Sequence, residues 1–172
     1  MKKIIALIIT AAICMALCAC GTQTKSGDDT TAPESESTGA GMVNPMVEAS
    51  ADEIKEKIGV EFKIPEKASG PDYYIVAGEM AQADLSLDGN LYTLRAKKSD
   101  ILDDISGMYY EWDINEVCDI NGNGGEIHIV NNENEKASSV IWYDPAAGMT
   151  YSVSVNNAVS RQALIDFAQA AV

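Results

Sequence analysis

Residues 73–96, YYIVAGEMAQADLSLDGNLYTLRA, decide the fold. Asp88-Gly89 is a two-residue hairpin turn, because a type I′ turn needs positive φ at both central positions and this pair tolerates it. Pairing outward from Leu87 and Asn90 sets Leu85 opposite Tyr92, Ala83 opposite Leu94 and Ala81 opposite Ala96. The same register gathers Gln82 with Arg95 and Asp84 with Thr93 on the reverse side. One apolar and one polar face emerge together, as in a half-buried antiparallel pair. Upstream, Gly78-Glu79 fits a type II′ turn that places Tyr74 and Val76 beside Ala83 and Ala81 on the apolar face.

The segments around this double hairpin extend the same pattern. Tyr110, Trp112 and Ile114 alternate with polar neighbours, and the phase slips near Val117, which predicts a bulge. Ile127 and Ile129 flank His128 in the next strand, so His128 is expected to face solvent. Val140–Tyr143 and Met149–Val155 are joined by Asp144-Pro145-Ala146-Ala147-Gly148, and Met149, Tyr151, Val153 and Val155 alternate with Thr150, Ser152 and Ser154. Before the strands, Ser50-Ala51-Asp52-Glu53 reads as a capping box, Ile54 and Ile58 share one helix face, and Gly59 supplies a left-handed stop. Val60–Ile64 reads as extended up to Pro65. After the strands, Ser160 is the N-cap of a closing helix, Val159 staples against Leu164, and Leu164, Phe167, Ala168 and Ala171 form one stripe. The expectation is an α+β domain over residues 43–172: an antiparallel β-meander sheet of about seven or eight strands, packed by an N-terminal and a C-terminal helix.

The N-terminal end carries the address. Lys2 and Lys3 precede an apolar run, Ile4–Leu17, and Leu17-Cys18-Ala19-Cys20 has an aliphatic residue three places before a cysteine. A membrane-spanning helix needs about 20 apolar residues. This run is shorter and ends in small residues, the profile of a cleaved export signal over residues 1–19. The lipobox resembles those of bacterial lipoproteins, which implies diacylglyceryl transfer to Cys20 and anchoring in the bacterial cell membrane with the domain facing outside. Residues 20–42 hold the lipidated cysteine and a tether. From Gly21 to Gly41 there is no Leu, Ile, Val, Met or aromatic residue, so this stretch is expected to stay disordered. As a flexible coil it spans about 25 Å.

Charge narrows the partners. The chain has 12 Lys plus Arg against 26 Asp plus Glu; taking away Lys2 and Lys3 leaves ten against 26, a net charge of −16 after processing. Phosphate backbones are repelled by such a surface, so no nucleic-acid partner is expected. Electrostatic attachment to anionic lipid is equally disfavoured, which leaves the acyl chains on Cys20 as the link to the membrane. Cys14 and Cys18 depart with the signal. Cys118 then stands alone, without a disulfide partner, and is expected to be a small core residue.

Several short motifs resemble a family of uncharacterised lipoproteins of Gram-positive gut bacteria that carry a domain of unknown function. They are Asn44-Pro45, Ile64-Pro65-Glu66, Met80-Ala81-Gln82, Leu91-Tyr92-Thr93-Leu94-Arg95-Ala96 and Asp104-Ile105-Ser106-Gly107, spread over about 43 to 160. The resemblance implies a module similar to the extracytoplasmic domains of some regulatory proteins. It brings no catalytic or binding residues with it.

Three constellations suggest chemistry. Asp119, Asn121 and Asn123 match the first half of a D-x-N-x-N-G calcium loop, but the twelfth position, where a bidentate Glu belongs, is Val130. A Gly- and Asn-rich turn between strands accounts for the same residues. Tyr73, Tyr109, Trp142 and Tyr143 fall on or near the face opposite the expected core, where clustered aromatics would make a ligand-binding platform. Tyr74, Tyr110 and Trp112 are assigned to packing, and a helix covering the second face is favoured over an open platform. His128 is the only histidine and no nucleophile motif accompanies it, so an enzyme is not expected and no catalytic residues are assigned. The function expected is a non-enzymatic, membrane-anchored exported module, binding or structural in role, with a sensing or regulatory module, or a calcium-dependent binder, as alternatives.

Overall fold

Asp88 (φ 50°) and Gly89 (φ 78°) make the turn that their sequence dictates. The flanking strands pair from Leu87↔Asn90 through Leu85↔Tyr92, Ala83↔Leu94 and Ala81↔Ala96, residue for residue as the pattern requires. A computed structural model describes residues 45–172; the expected leader, the lipidated Cys20 and the tether lie outside the described residues.

The elements in chain order are β1 (Met46–Ala49), α1 (Ala51–Lys57), β2 (Ser69–Val76), β3 (Met80–Leu87), β4 (Asn90–Lys98), β5 (Ile114–Ile120), β6 (Asn123–Asn131), β7 (Lys136–Asp144), β8 (Met149–Val155) and α2 (Arg161–Ala171). All eight strands form one antiparallel sheet in the order β1-β2-β3-β4-β8-β7-β6-β5. The domain is therefore the α+β fold expected, an open sheet with two helices. It is built as two four-strand meanders whose last strands, β4 and β8, meet in the middle. β1, too short for the pattern to announce, lengthens one edge.

Both helices are set by their caps. Ser50 Oγ accepts from the Glu53 amide (3.2 Å), and Glu53 Oε2 accepts from the Ser50 amide (2.9 Å). Gly59 (φ 87°) closes α1. Ser160 Oγ accepts from the Ala163 amide at 3.2 Å, starting α2. The stripe of Leu164, Phe167, Ala168 and Ala171 is buried with Ile54, Ile58, Ala81, Ala83, Leu94, Val140 and Val153 in one core. Phe167 stacks on Tyr92, with ring centroids 4.6 Å apart. Val60 and Phe62 join this core from the segment after α1, and the Lys63 amide ties that segment to Ala171 O (2.8 Å).

The first hairpin departs from expectation. Val76 pairs with Met80 across a three-residue loop in which Ala77 (φ 52°) and Gly78 (φ 76°) are both left-handed, so the turn is not Gly78-Glu79. One extra loop residue shifts the register by one, and a one-residue shift exchanges the faces of a strand. Tyr73 and Ile75 consequently lie on the core face, opposite Ala83 and Ala81, while Tyr74 and Val76 lie on the reverse. β2 carries its own irregularity between Ser69 and Asp72, at Pro71, which has no N–H to give to a ladder.

Between β4 and β5 the expected strand over Tyr110–Trp112 is absent. Pairing begins at Ile114↔Ile129 and runs unbroken to Ile120↔Asn123, so there is no bulge near Val117. As the outermost strand, β5 leaves Val117 82% exposed. The apparent phase slip marks the place where an irregular segment becomes a strand.

Candidate functional site

The face of the sheet away from the helices is polar and, at its centre, buried. Thr93, Arg95 and Lys97 of β4 stand opposite Ser154, Ser152 and Thr150 of β8, and Ser154 in turn stands opposite Ser139 of β7. His128 of β6 is paired with Ser139 and completes the row. Thr150, Ser152, Ser154, Ser139 and His128 are all buried. What buries them is the link between the two meanders, residues 99–113, which crosses this face as an irregular strap. The second face is thus covered, though by a strap and not by a helix.

Named contacts fix the strap to the sheet. Thr150 Oγ1 donates to Ile101 O (2.7 Å), Arg95 Nη1 donates to Ile105 O (3.1 Å), and the Trp112 ring stacks on His128 at 5.5 Å. Within the strap, the Ser106 amide donates to Asp104 Oδ1 and the Met108 amide donates to Ser106 Oγ. Gly107 is left-handed (φ 70°), and a Cβ there would fall 2.1 Å from Arg95 Nη1. Only glycine lets the strap lie on the guanidinium without displacing it.

Arg95 is the centre of this arrangement. Its Nε donates to Gln82 Oε1 at 2.9 Å. Gln82 Nε2 donates to Asp84 Oδ2, and Asp84 Oδ1 accepts from Thr93 Oγ1. Burial pulls the Arg95 pKa below its ordinary value, and nearby Asp84, Tyr109 and Asp104 pull it back up. No carboxylate forms an ion pair with it among the described residues, although Arg161 takes Glu116 (3.2 Å) and Lys97 takes Glu79 (2.9 Å). On one side of the strap a cleft of about 390 Å³ opens beside Arg95, lined also by Thr93, Ser106, Met108, Tyr109, Tyr110, Ser154 and Asn156. On the other side a cleft of about 250 Å³ is lined by Glu79, Lys97, Asp103 and Asp104 as well as Arg95.

The residues singled out in the sequence are dispersed. Trp142 is 2% exposed and stacks on Tyr151 in the core, 5.2 Å centroid to centroid, so it cannot belong to an outward platform. The reason is that β7 is buried on both faces from Ala137 to Trp142, which erases the alternation that would have set its phase. Tyr73 packs against the core, and burial raises its hydroxyl pKa. Tyr109 is 94% exposed at the strap, and Tyr143 is half-buried beside Thr150 on the second face. These four form no cluster. Tyr110 and Trp112, assigned to the core, sit instead on the strap, edge to face at 5.3 Å.

His128, expected in solvent, is buried under Trp112, and its Nδ1 has no partner among the described residues. Cys118 packs against the core, with burial raising its thiol pKa. Asn121 and Gly122 form a tight turn, both left-handed, between β5 and β6. Asp119 Oδ1 accepts from the Gly122 amide (2.9 Å), Asn121 Nδ2 donates to Gln169 O (3.3 Å), and Asn123 sits in the ladder opposite Ile120. No group of three or more His, Cys, Asp or Glu gathers in metal-binding geometry among the described residues.

Sequence reasoning placed Arg95 on the polar face but gave it no role. The usable signal was a run of hydroxyls at Thr150, Ser152 and Ser154 facing the same way as Arg95: an all-hydroxyl strand face without charges suits burial better than open water. No protein-family model, curated protein or solved structure matches this chain.

Proposed function

We propose that this chain is a lipid-anchored, exported binding module without catalytic activity, held on the outer side of a bacterial cell membrane through acyl chains on Cys20. The observation that carries the reading is the short apolar leader ending in Leu17-Cys18-Ala19-Cys20, followed by a segment without large apolar side chains. Two acyl chains are enough for lasting attachment where one is marginal. A net charge of −14 speaks against a nucleic-acid partner. The cleft of about 390 Å³ beside Arg95 falls in the size range of small-ligand sites and supports binding over a purely structural role. The calcium alternative is left aside, because Asp119, Asn121 and Asn123 form a tight strand-to-strand turn that its own backbone geometry and hydrogen bonds account for. The test is mass spectrometry of the protein recovered from bacterial membranes. A mature N-terminus at Cys20 bearing a diacylglyceryl group is expected; a free Cys20 thiol or a retained leader overturns the reading.

A further inference from the structure

We propose that the cleft beside Arg95 binds the carboxylate group of a small, partly apolar molecule. The inference deepens the binding reading above and rests on that cleft being the site.

The argument starts from a missing counter-charge. A guanidinium drawn away from water is costly unless an anion accompanies it. The chain carries 26 acidic residues, yet the half-buried Arg95 is held by neutral acceptors alone, Gln82 Oε1 and Ile105 O. The two carboxylates nearest in charge effect are turned elsewhere: Asp84 accepts from Thr93 and Gln82, and Asp104 accepts from the Ser106 amide. The bonds to Gln82 and Ile105 use Nε and Nη1. Nη2 has no partner among the described residues and is held in place by the fork that the other two nitrogens fix. A positioned guanidinium with one nitrogen still free to donate suits a carboxylate oxygen.

The two sides of the strap differ in sign. In the smaller cleft Lys97 is taken up by Glu79, and Asp103 and Asp104 outweigh Arg95, which disfavours an anion there. Among the described residues no acidic side chain lines the larger one, where Arg95 is the sole charge among hydroxyls, the Asn156 amide and the side chains of Tyr109 and Tyr110. Its volume suits a molecule the size of a small aromatic acid or the last residues of a peptide. Either source offers one carboxylate on an apolar body.

Calorimetric titration of the full chain in detergent tests this with four probes at millimolar concentration: benzoate, benzamide, and glycylglycylphenylalanine with a free or an amidated C-terminus. Binding of at least one free acid, with its amide weaker by roughly tenfold or more, is the expected result. Whether benzoate or the peptide acid binds better tells a free acid from a chain end. Arg95→Gln should abolish the preference for the acid. Because Arg95 also holds the strap, Asn156→Asp serves as a second variant: it adds a negative charge at the rim, leaves the Arg95 contacts intact and should weaken the acid several-fold. Equal binding of acid and amide overturns the carboxylate assignment while leaving the cleft as a binding site. No binding by any probe overturns it altogether. Neither result bears on the state of Cys20, so failure of the anchoring reading is separately visible.

Discussion

The two faces of this sheet are buried by different means. On the helix side, Leu164, Phe167 and Ala168 cover a mainly apolar set, and Trp142, Tyr92 and Leu94 make the core that holds the domain together. The buried Ser138 hydroxyl on that side is satisfied by Asn157 O and the Val159 amide. On the strap side, an irregular segment without its own secondary structure covers hydroxyls, an arginine and a histidine, and leaves Ser139 Oγ, Ser152 Oγ and His128 Nδ1 without partners among the described residues. Buried polar atoms without partners cost free energy. The contrast separates a face built for stability from one that carries polar groups at a cost to it, which is where binding is expected.

The largest test of that division is Trp142→Ala. It removes the ring stacked on Tyr151 and should cost about 3–5 kcal/mol in denaturant unfolding. A loss below 1 kcal/mol would mean that the helix side is not the stabilising one. Gly107→Ala comes next, at about 1–2 kcal/mol, because it combines a left-handed φ with a Cβ forced onto Arg95 Nη1. Its effect should be local: amide exchange accelerates over 99–113 while β3 and β4 stay protected. Uniform acceleration across the sheet would show that the strap cannot be loosened on its own.

Ser50→Ala should cost about 1 kcal/mol through the lost cap of α1. The same cap gives a pH dependence. Hydrogen bonds from Ser50, helped by Lys57, hold the Glu53 carboxyl below its ordinary 4.5. A lowered folded-state pKa stabilises above the unfolded value and is lost as pH falls through the folded one. Helix α1 should therefore fray first below the ordinary carboxylate range, read as faster amide exchange at Ser50 and Glu53, with β3 and β4 unaffected. Ser139→Ala and Ser152→Ala are the gentlest probes. Each deletes a hydroxyl without a partner, so the expected change lies between zero and about 1 kcal/mol of added stability. A clear loss in either variant would reveal that the hydroxyl is engaged after all, and the two faces would differ less than described.

What could be read in advance follows the same division. The β3–β4 hairpin, both helix caps and the α2 stripe were legible because each rests on local rules: a turn needing positive φ, a side chain reaching an amide three residues on, a 3.6-residue period. The β2–β3 register was not, because Ala77 takes a left-handed conformation that favours glycine, so Gly78-Glu79 looked like the whole turn. Trp142 was misplaced because a strand buried on both sides has no alternation to read. His128 and Trp112 were misplaced because what decides their burial is the path of 99–113, a long-range matter that neighbours in sequence do not encode. Arg95 and Gly107 meet only once that path is known.

The join between β4 and β8 has a bearing on how the chain assembles. Every other strand pair links consecutive strands, whereas Thr93 and Ser154 at this seam are 61 positions apart. Pairing residues that far apart in sequence lowers the folding rate, because chain closure must precede the contacts that reward it. The contacts within each meander are local in sequence, so the β4–β8 seam is the part of the sheet whose topology weighs most against fast folding.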